Sequence, residues 1–210
     1  YSFYKMVICT QEYWKFAYIC DKMDAGFFYW PACSACFYMK YETVLERQIG
    51  EMKNITVKDI VNATGGFLLC GDEDTPITGL CIDSRKAQPG DLFIPLLGNK
   101  VDGHRFIESA MEKASATLTS EHDNVVISEK PFIRVDDTMK ALQAIGMDIR
   151  DRYDIPYIGV TGSVGKTTTR EMIAAAVSTA KRCFQTNGNE NSQIGVPMTL
   201  SRMTDGYDAA

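Results

Sequence analysis

Histidine is scarce in this chain, and long apolar or basic runs are missing. Only two histidines occur in 210 residues, so a histidine-rich metal site is not expected. No apolar run approaches the roughly 20 residues that a membrane-spanning helix needs, so we expect no membrane insertion. The net charge is −5 and there is no long basic run, which argues against nucleic-acid binding. With 45% hydrophobic residues, the chain can fill a packed core.

Composition changes sharply near residue 52. Residues 1–51 hold 14 of the 22 aromatic residues and four of the seven cysteines. Their apolar residues come in clumps that follow neither helical nor strand spacing. Cys33 and Cys36 lack a second ligand pair at zinc-site spacing, so we interpret them as incidental. We predict that residues 1–51 are an atypical leader outside the native protein, and that Met52 is the true start.

From residue 52 onward, short apolar strands alternate with amphipathic helices. Thr56 is placed to cap a helix that stops at Gly65-Gly66. Asp136 or Asp137 is placed to cap a later helix whose apolar face includes Leu142 and Ile145. Apolar spacing predicts a further helix over residues 106–114. Strands are predicted at residues 80–82, 92–97, 116–118, 125–127 and 132–135. This alternation predicts an α/β fold with a largely parallel or mixed sheet.

A polar stretch at residues 151–154, followed by Pro156, predicts a domain boundary. We therefore expect one small α/β domain at residues 52–153 and the start of a second domain at residues 154–210. Cys70, Cys81 and Cys183 are scattered and odd in number, which favours reduced thiols in a cytoplasm over a disulfide framework.

A glycine-rich loop follows an apolar run at residues 157–160, which predicts a buried strand. The loop reads Thr-Gly-Ser-Val-Gly-Lys-Thr-Thr over residues 161–168, and an amphipathic helix comes next. Glycines let backbone N–H groups turn toward phosphate oxygens, and a helix N-terminus adds partial positive charge. Lys166 can reach the β- and γ-phosphates, and the Thr167 hydroxyl can ligate Mg²⁺.

This spacing differs from the general phosphate-loop template, which asks for glycine where the chain has Val160. The chain carries the tighter pattern Thr-Gly-x-x-Gly-Lys-Thr. Its position between a predicted strand and a predicted helix favours a nucleotide-binding loop. The alternative is an ordinary glycine-rich turn with Lys166 solvated.

Three segments together resemble the Mur ligase family of ATP-dependent, amide-bond-forming ligases. The first is the loop at residues 161–168. The second runs from Asp83-Ser84-Arg85 through Pro89-Gly90-Asp91-Leu92-Phe93-Ile94 and Gly98 to Asp102-Gly103-His104-Arg105-Phe106-Ile107. The third is Thr-Asn-Gly-Asn-Glu-Asn-Ser-Gln-Ile-Gly-Val-Pro-Met-Thr-Leu over residues 186–200. The resemblance covers about residues 52–210.

The resemblance implies a small N-terminal α/β domain that binds a UDP-linked substrate, followed by the start of a P-loop ATPase domain. It is greatest to the members that add D-Ala-D-Ala to UDP-MurNAc-tripeptide through an acyl-phosphate intermediate, with ATP and Mg²⁺. It also implies a monomer of the bacterial cytoplasm, and a fragment that does not turn over alone. The alternatives are a related ligase of the MurE or folylpolyglutamate synthase type, and a noncatalytic nucleotide-binding module.

The resemblance also assigns roles to residues. Lys166 is the catalytic residue and Thr167 the magnesium ligand. Ser84 and Arg85 contact the UDP substrate, or else Arg85 is a surface residue after a strand. Asn189 and Asn191 face substrate or phosphate, or else cap a helix before Ile194. His104 is expected to cap or pack. The nucleotide-binding residues are Thr161, Gly162, Ser163, Val164, Gly165, Lys166, Thr167 and Thr168.

The proposed start at Met52 is directly testable. Mass analysis of the natively expressed protein should find an N-terminus at or next to Met52. A native peptide that spans Gly50 to Lys53 would show that the leader is translated, and would contradict this prediction.

Overall fold

Strands and helices alternate in the computed structural model, which describes residues 7–8, 55–98, 101–121, 128–188 and 190–210. The predicted strand at residues 125–127 lies outside these residues. The strands are β1 (Val7–Ile8), β2 (Ile55–Thr56), β3 (Phe67–Cys70), β4 (Pro76–Ile77), β5 (Gly79–Cys81), β6 (Asp91–Phe93), β7 (Ala116–Thr119), β8 (Phe132–Arg134) and β9 (Val160–Thr161). The α-helices are α1 (Val57–Thr64), α2 (Ile107–Met111), α3 (Thr138–Asp151), α4 (Lys166–Val177) and α5 (Gly195–Leu200). Two 3-10 helices occupy Ser84–Lys86 and Gly103–Phe106.

A five-stranded sheet with the order β3-β8-β7-β6-β5 organises residues 55–153. Strands β5, β6, β7 and β8 are parallel, and β3 is antiparallel to β8. A short antiparallel pair, β2 with β4, lies beside it. The mainly parallel α/β fold is therefore confirmed. The carboxyl ends of parallel strands share one edge, where ligands of such sheets usually bind.

Apolar side chains cover both faces of this sheet. Leu92 and Ile94 belong to a core cluster with residues of α1 and α3, whereas Phe93 belongs to a second cluster with residues of α2. Alternating residues of a strand point to opposite faces of the sheet. Residues 92–94 are all apolar because both faces of the sheet are covered. Phe93 is 1% exposed and Leu92 is fully buried.

Three predicted helix ends are confirmed by their capping bonds or backbone conformation. The Thr56 hydroxyl accepts the N–H of Asp59, and the Asp59 carboxylate accepts the N–H of Thr56, which forms a capping box. Helix α1 ends at Gly65, whose φ of 65° is left-handed and therefore favours glycine. The Asp137 carboxylate accepts the N–H groups of Met139 and Lys140 at the start of α3.

Two elements are shorter than the sequence predicted. The strand expected over residues 92–97 ends at Phe93, since Pro95 has no N–H for a ladder and Leu96 instead accepts the N–H of Gly103. The helix expected over residues 106–114 ends at Met111. The ammonium group of Lys130 donates to the carbonyls of Met111 and Ala114, the latter at 2.8 Å, and so satisfies the helix end.

The prediction of a buried strand at residues 157–160 is wrong. Strand β9 covers only Val160–Thr161, and Ile158 is 37% exposed. The N–H of Ile158 donates to Ala210 at 2.7 Å and the N–H of Ala210 donates to Pro156 at 3.0 Å, which is parallel strand pairing. β1 pairs in parallel with β9. Ile158 therefore remains partly open to solvent instead of lying in a buried strand.

Helices α3 and α5 join the two parts of the chain. Gly146 lies against Pro197 so closely that a Cβ added at Gly146 would be 3.0 Å from the Pro197 Cα. The Tyr153 hydroxyl donates to the Met203 carbonyl at 2.9 Å, and the Tyr157 hydroxyl donates to that of Arg150 at 3.0 Å. The phosphate-loop part is thus packed onto α3, the helix that covers one face of the first sheet. A domain boundary at residues 151–156 remains a prediction.

Two further observations concern the thiols and the membrane. Cys70, Cys81 and Cys183 are free thiols. Among the helices that the structure describes, none has both the length and the apolarity needed to cross a membrane.

The Gly146–Pro197 contact predicts the sign of a stability change. Glycine to alanine inside a helix normally stabilises by about 1 kcal/mol. At Gly146 the added methyl would press on the Cα and the ring carbons of Pro197 in α5, and such overpacking costs about 1–3 kcal/mol. We expect Gly146→Ala to lower the free energy of unfolding by about 1 kcal/mol in urea denaturation. A gain in stability would mean that α3 and α5 can separate without cost.

Candidate functional site

The loop between β9 and α4 depends on two glycines. Gly162 has a φ of 151° and Gly165 a φ of 77°, both of which L-residues rarely adopt. A Cβ added at Gly165 would meet no heavy atom of the described residues within 4 Å. Glycine is therefore required there by backbone conformation and not by lack of space.

Helix α4 begins at this loop with its first N–H groups available. Within the described part of the chain, no side chain caps the helix at Gly165. The first helical bond runs from the N–H of Thr169 to the carbonyl of Gly165 at 2.9 Å. The preceding N–H groups, on residues 166–168, lie at the positive end of the helix dipole. An uncapped N-terminus of this kind suits an anionic ligand.

Lys166 adds a full positive charge to the same place. Its Nζ donates to the carbonyl of Gly162 at 2.6 Å, so the ammonium group lies across the loop. A cavity of about 450 Å³ opens beside it. The lining residues are Ser163, Val164, Gly165, Lys166, Thr167, Thr168 and Asn191.

Most of the predicted nucleotide-binding residues meet in this cavity. Thr161 is in β9 and Gly162 contributes its carbonyl to Lys166, and neither is part of the lining. Asn191 joins the loop from a distant part of the chain. Asn189 lies outside the described residues.

Asn191 does not have the capping role that was its alternative. In the described residues α5 starts at Gly195 without a side-chain cap, and the Ser192 hydroxyl accepts the N–H of Gly195 at 2.9 Å. Asn191 is exposed and lines the cavity. Its amide group is therefore available to a ligand.

Ser84 and Arg85 lie at a second place, the carboxyl end of β5. They belong to the 3-10 helix that follows the strand, at the edge of the parallel sheet where ligands of such sheets usually bind. The Arg85 guanidinium donates to Asp83 from Nε at 2.9 Å and from a terminal nitrogen at 2.8 Å. This contact lowers the pKa of Asp83 to about 2. The Arg85 side chain is 86% exposed.

His104 packs at the same edge, as expected from its sequence position. It is buried, its Nδ1 lies 2.7 Å from Asp102 Oδ1, and its Nε2 accepts the N–H of Ser120 at 3.1 Å. Because Nε2 accepts, the ring proton belongs on Nδ1. Asp102, His104 and Glu121 have donor atoms within 4.8 Å of one another. A metal ion would have to break these bonds, so the cluster is better explained as packing.

Glu190 is a residue for which the sequence predicted no role. Its carboxylate accepts the Thr199 hydroxyl at 2.7 Å and pairs with the guanidinium of Arg202. Arg202 holds the pKa of Glu190 below its ordinary value. Glu190 lies nine residues before Thr199 and twelve before Arg202. These spacings do not predict a contact by themselves, because the contact depends on the turn before α5.

An α/β fold with an uncapped helix after a glycine-rich loop defines a phosphate-loop protein. Models of the Mur ligase middle domain and of the Mur ligase family catalytic domain match residues 160–210 and residues 76–152. The chain belongs to the Mur ligase family.

Individual relatives agree with this assignment. The chain is 41% identical over 140 residues to UDP-N-acetylmuramoyl-tripeptide--D-alanyl-D-alanine ligase of Synechocystis, covering 66% of the chain and 31% of the relative. It is 40% identical over 157 residues to the Bacillus subtilis ligase of that name. This match covers 74% of the chain and 34% of the relative. The chain thus spans about a third of the length of the curated relatives it matches.

Solved structures show the same fold. A crystal structure of MurF from Acinetobacter baumannii matches with a TM-score of 0.65 and 31% identity, covering 73% of this chain and 34% of that one. A structure of MurF ligase from Thermotoga maritima in complex with ADP matches with a TM-score of 0.57 and 27% identity. The match covers 64% of this chain and 31% of the Thermotoga maritima chain.

The Glu190–Arg202 pair predicts a pH dependence of stability. The folded pKa of Glu190 is lowered, so its stabilising contribution is complete above the unfolded value of about 4.3 and is lost as the pH falls through the folded value. We expect Glu190→Gln to flatten the fall in unfolding free energy below about pH 5, measured by denaturation at a series of pH values. Glu108→Gln, on the exposed surface of α2, is the control. Identical pH profiles for the Glu190→Gln variant and the unsubstituted chain would contradict this.

Proposed function

We propose that this chain is the substrate-binding and phosphate-loop part of an ATP-dependent amide-bond ligase of peptidoglycan precursor synthesis. The reaction is the addition of D-Ala-D-Ala to UDP-MurNAc-tripeptide. The observation that carries the proposal is the uncapped start of α4 beside the Lys166 ammonium group. The names of the relatives, which are 33–42% identical, supply the two substrates.

ATP is the nucleotide that this site would take. The N–H groups at the start of α4 would donate to phosphate oxygens, and Lys166 would exchange its bond to Gly162 for a phosphate oxygen. The ADP complex of the Thermotoga maritima relative supports an adenine nucleotide. Binding therefore replaces one internal hydrogen bond with several charged ones.

Mg²⁺ fits the donor chemistry of the same loop. The Thr167 hydroxyl lines the cavity and is exposed, and a hydroxyl oxygen at this position suits a hard cation. When bound, Mg²⁺ neutralises phosphate charge. Thr167 is the described residue that we assign as its ligand.

The chemistry requires activation because a carboxylate does not accept an amine at neutral pH. The γ-phosphoryl group of ATP passes to the peptide carboxylate of the UDP-linked substrate, which leaves ADP and an acyl phosphate. The amine of D-Ala-D-Ala then attacks the acyl carbon, the amide bond forms and phosphate leaves. The part played by this chain is mainly positioning and charge neutralisation by Lys166.

The UDP-linked substrate belongs at the carboxyl edge of the first sheet. Ser84 and Arg85 lie there, and the planar guanidinium of Arg85 suits a diphosphate. Its present partner, Asp83, already orients the guanidinium in a forked pair. Asn191, which lines the phosphate-loop cavity, would contact the ATP phosphates or the acceptor carboxylate.

The setting we propose is the bacterial cytoplasm, where UDP-linked precursors are made. The three free thiols among the described cysteines suit a reducing compartment. A monomer remains our prediction.

Lys166→Ala tests the proposal. Loss of the ammonium group should weaken Mg-ATP binding to the chain at least ten-fold in calorimetric titration, and should abolish ligation in a full-length ligase. Circular dichroism should stay unchanged, because Lys166 is not part of the core. Lys181→Ala, an exposed change beyond α4, is the matched control.

Unchanged affinity in the Lys166→Ala variant would favour the other interpretation, an ordinary glycine-rich turn with a solvated lysine. Normal Mg-ATP binding by the unsubstituted chain, with no ligation by the full-length protein, would favour a noncatalytic nucleotide-binding module.

A further inference from the structure

We propose that Glu190 is a positioning residue that holds the Asn191 amide against the phosphate loop. The inference rests on the proposed function, because Asn191 can act only if the cavity receives nucleotide phosphates. Neither the phosphate-loop pattern nor the resemblance assigns a role to Glu190. Its role follows from the contacts that hold residues 186–188 and 190–192 from two sides.

The first side is α5. Thr199, which is 2% exposed, donates its hydroxyl to Glu190 Oε2 at 2.7 Å, and Arg202 donates to both carboxylate oxygens. A Cβ added at Gly195 would lie 2.7 Å from the Glu190 carbonyl carbon. The Glu190 backbone therefore rests directly on the start of α5, and its side chain is fixed by two donors.

The second side is α4, the helix of the phosphate loop itself. Arg170 donates from one terminal nitrogen to the Thr186 hydroxyl at 3.1 Å and to the Gly188 carbonyl at 2.8 Å. Arg170 is four residues after Lys166, so both side chains leave the same face of the helix. The first half of the segment is thereby attached to the helix that begins at the phosphate loop.

Asn191 is the next residue after Glu190 and reaches the cavity. With Glu190 held by α5 and Gly188 held by α4, little backbone freedom remains at position 191. Its amide is not used as a cap, since the Ser192 hydroxyl takes the N–H of Gly195. Ordering a donor before the ligand arrives removes an entropic cost from binding.

Glu190 thus acts through Asn191, and a double-mutant cycle can measure this. The chain is titrated with Mg-ATP in four forms: unsubstituted, Glu190→Ala, Asn191→Ala and the double variant. We expect each single change to raise Kd about five-fold, which is the loss of roughly one hydrogen bond. In the double variant Kd should equal that of Asn191→Ala, since Glu190 has nothing left to position.

Conservative changes separate positioning from general loss of structure. Glu190→Gln keeps an oxygen that can accept from Thr199, and its Kd should stay within about two-fold of the unsubstituted chain. Thr199→Val removes that donor without changing volume much, and should raise Kd about two- to three-fold even if Glu190→Ala fails to fold. Glu108→Ala, exposed on α2, should have no effect.

A spectroscopic readout reports on Asn191 directly. Its side-chain amide signals in a nitrogen–proton correlation spectrum, assigned by their absence in Asn191→Ala, should shift with Mg-ATP. The shift should be lost in Glu190→Ala, or reduced in Thr199→Val.

The outcomes distinguish the two proposals. If the unsubstituted chain binds Mg-ATP and the two single effects multiply in the double variant, Glu190 does not act through Asn191 and the inference is overturned. Unchanged Kd in Glu190→Ala or Thr199→Val overturns it as well. If the unsubstituted chain does not bind Mg-ATP, both this inference and the proposed function fail.

Discussion

The uncapped start of α4 is the constraint on which the site depends. A helix N-terminus leaves N–H groups without partners, and proteins usually satisfy them with a side chain. Within the described residues this helix has no such cap, and Gly165 takes a left-handed φ that turns the chain into the helix. Lys166 adds its charge to the same point. Its free N–H groups need water or an anion as partners, and the exposed loop leaves them accessible.

The sheet and the loop carry two candidate sites in parts of the chain that pack against each other. The parallel strands bring Ser84 to the carboxyl edge of the first sheet, while β9 delivers the phosphate loop in the second part. Close packing of Gly146 on Pro197 then attaches α5, and with it the segment that carries Asn191, to α3 of the first sheet. For the ligation proposed above, the phosphate donor and the acceptor must be held in fixed relation, because alignment provides much of the rate. The α3–α5 contact supplies such a connection within this chain.

Local signals predicted well what depends on neighbours in sequence. The predicted cap at Thr56, the predicted stop at Gly65 and the cap predicted at Asp136 or Asp137, which is Asp137, are all present, since each involves residues within a few positions. Elements that end through distant partners were predicted too long. Lys130 ends α2 from another segment, and Gly103 bonds to Leu96 just beyond β6. The exposure of Ile158 depends equally on which segments lie beside the strand.

By itself, the sequence determined the fold class and predicted which residues form the phosphate loop. Hydrophobic spacing and glycine positions are properties of short segments, so they can be interpreted without coordinates. Only the tertiary structure decided that Asn191 faces the loop instead of capping a helix, and that Glu190 is held by Thr199 and Arg202. Those contacts join residues that are far apart in the sequence. How close such residues come in space depends on how the turns and helices pack, which no local sequence pattern predicts.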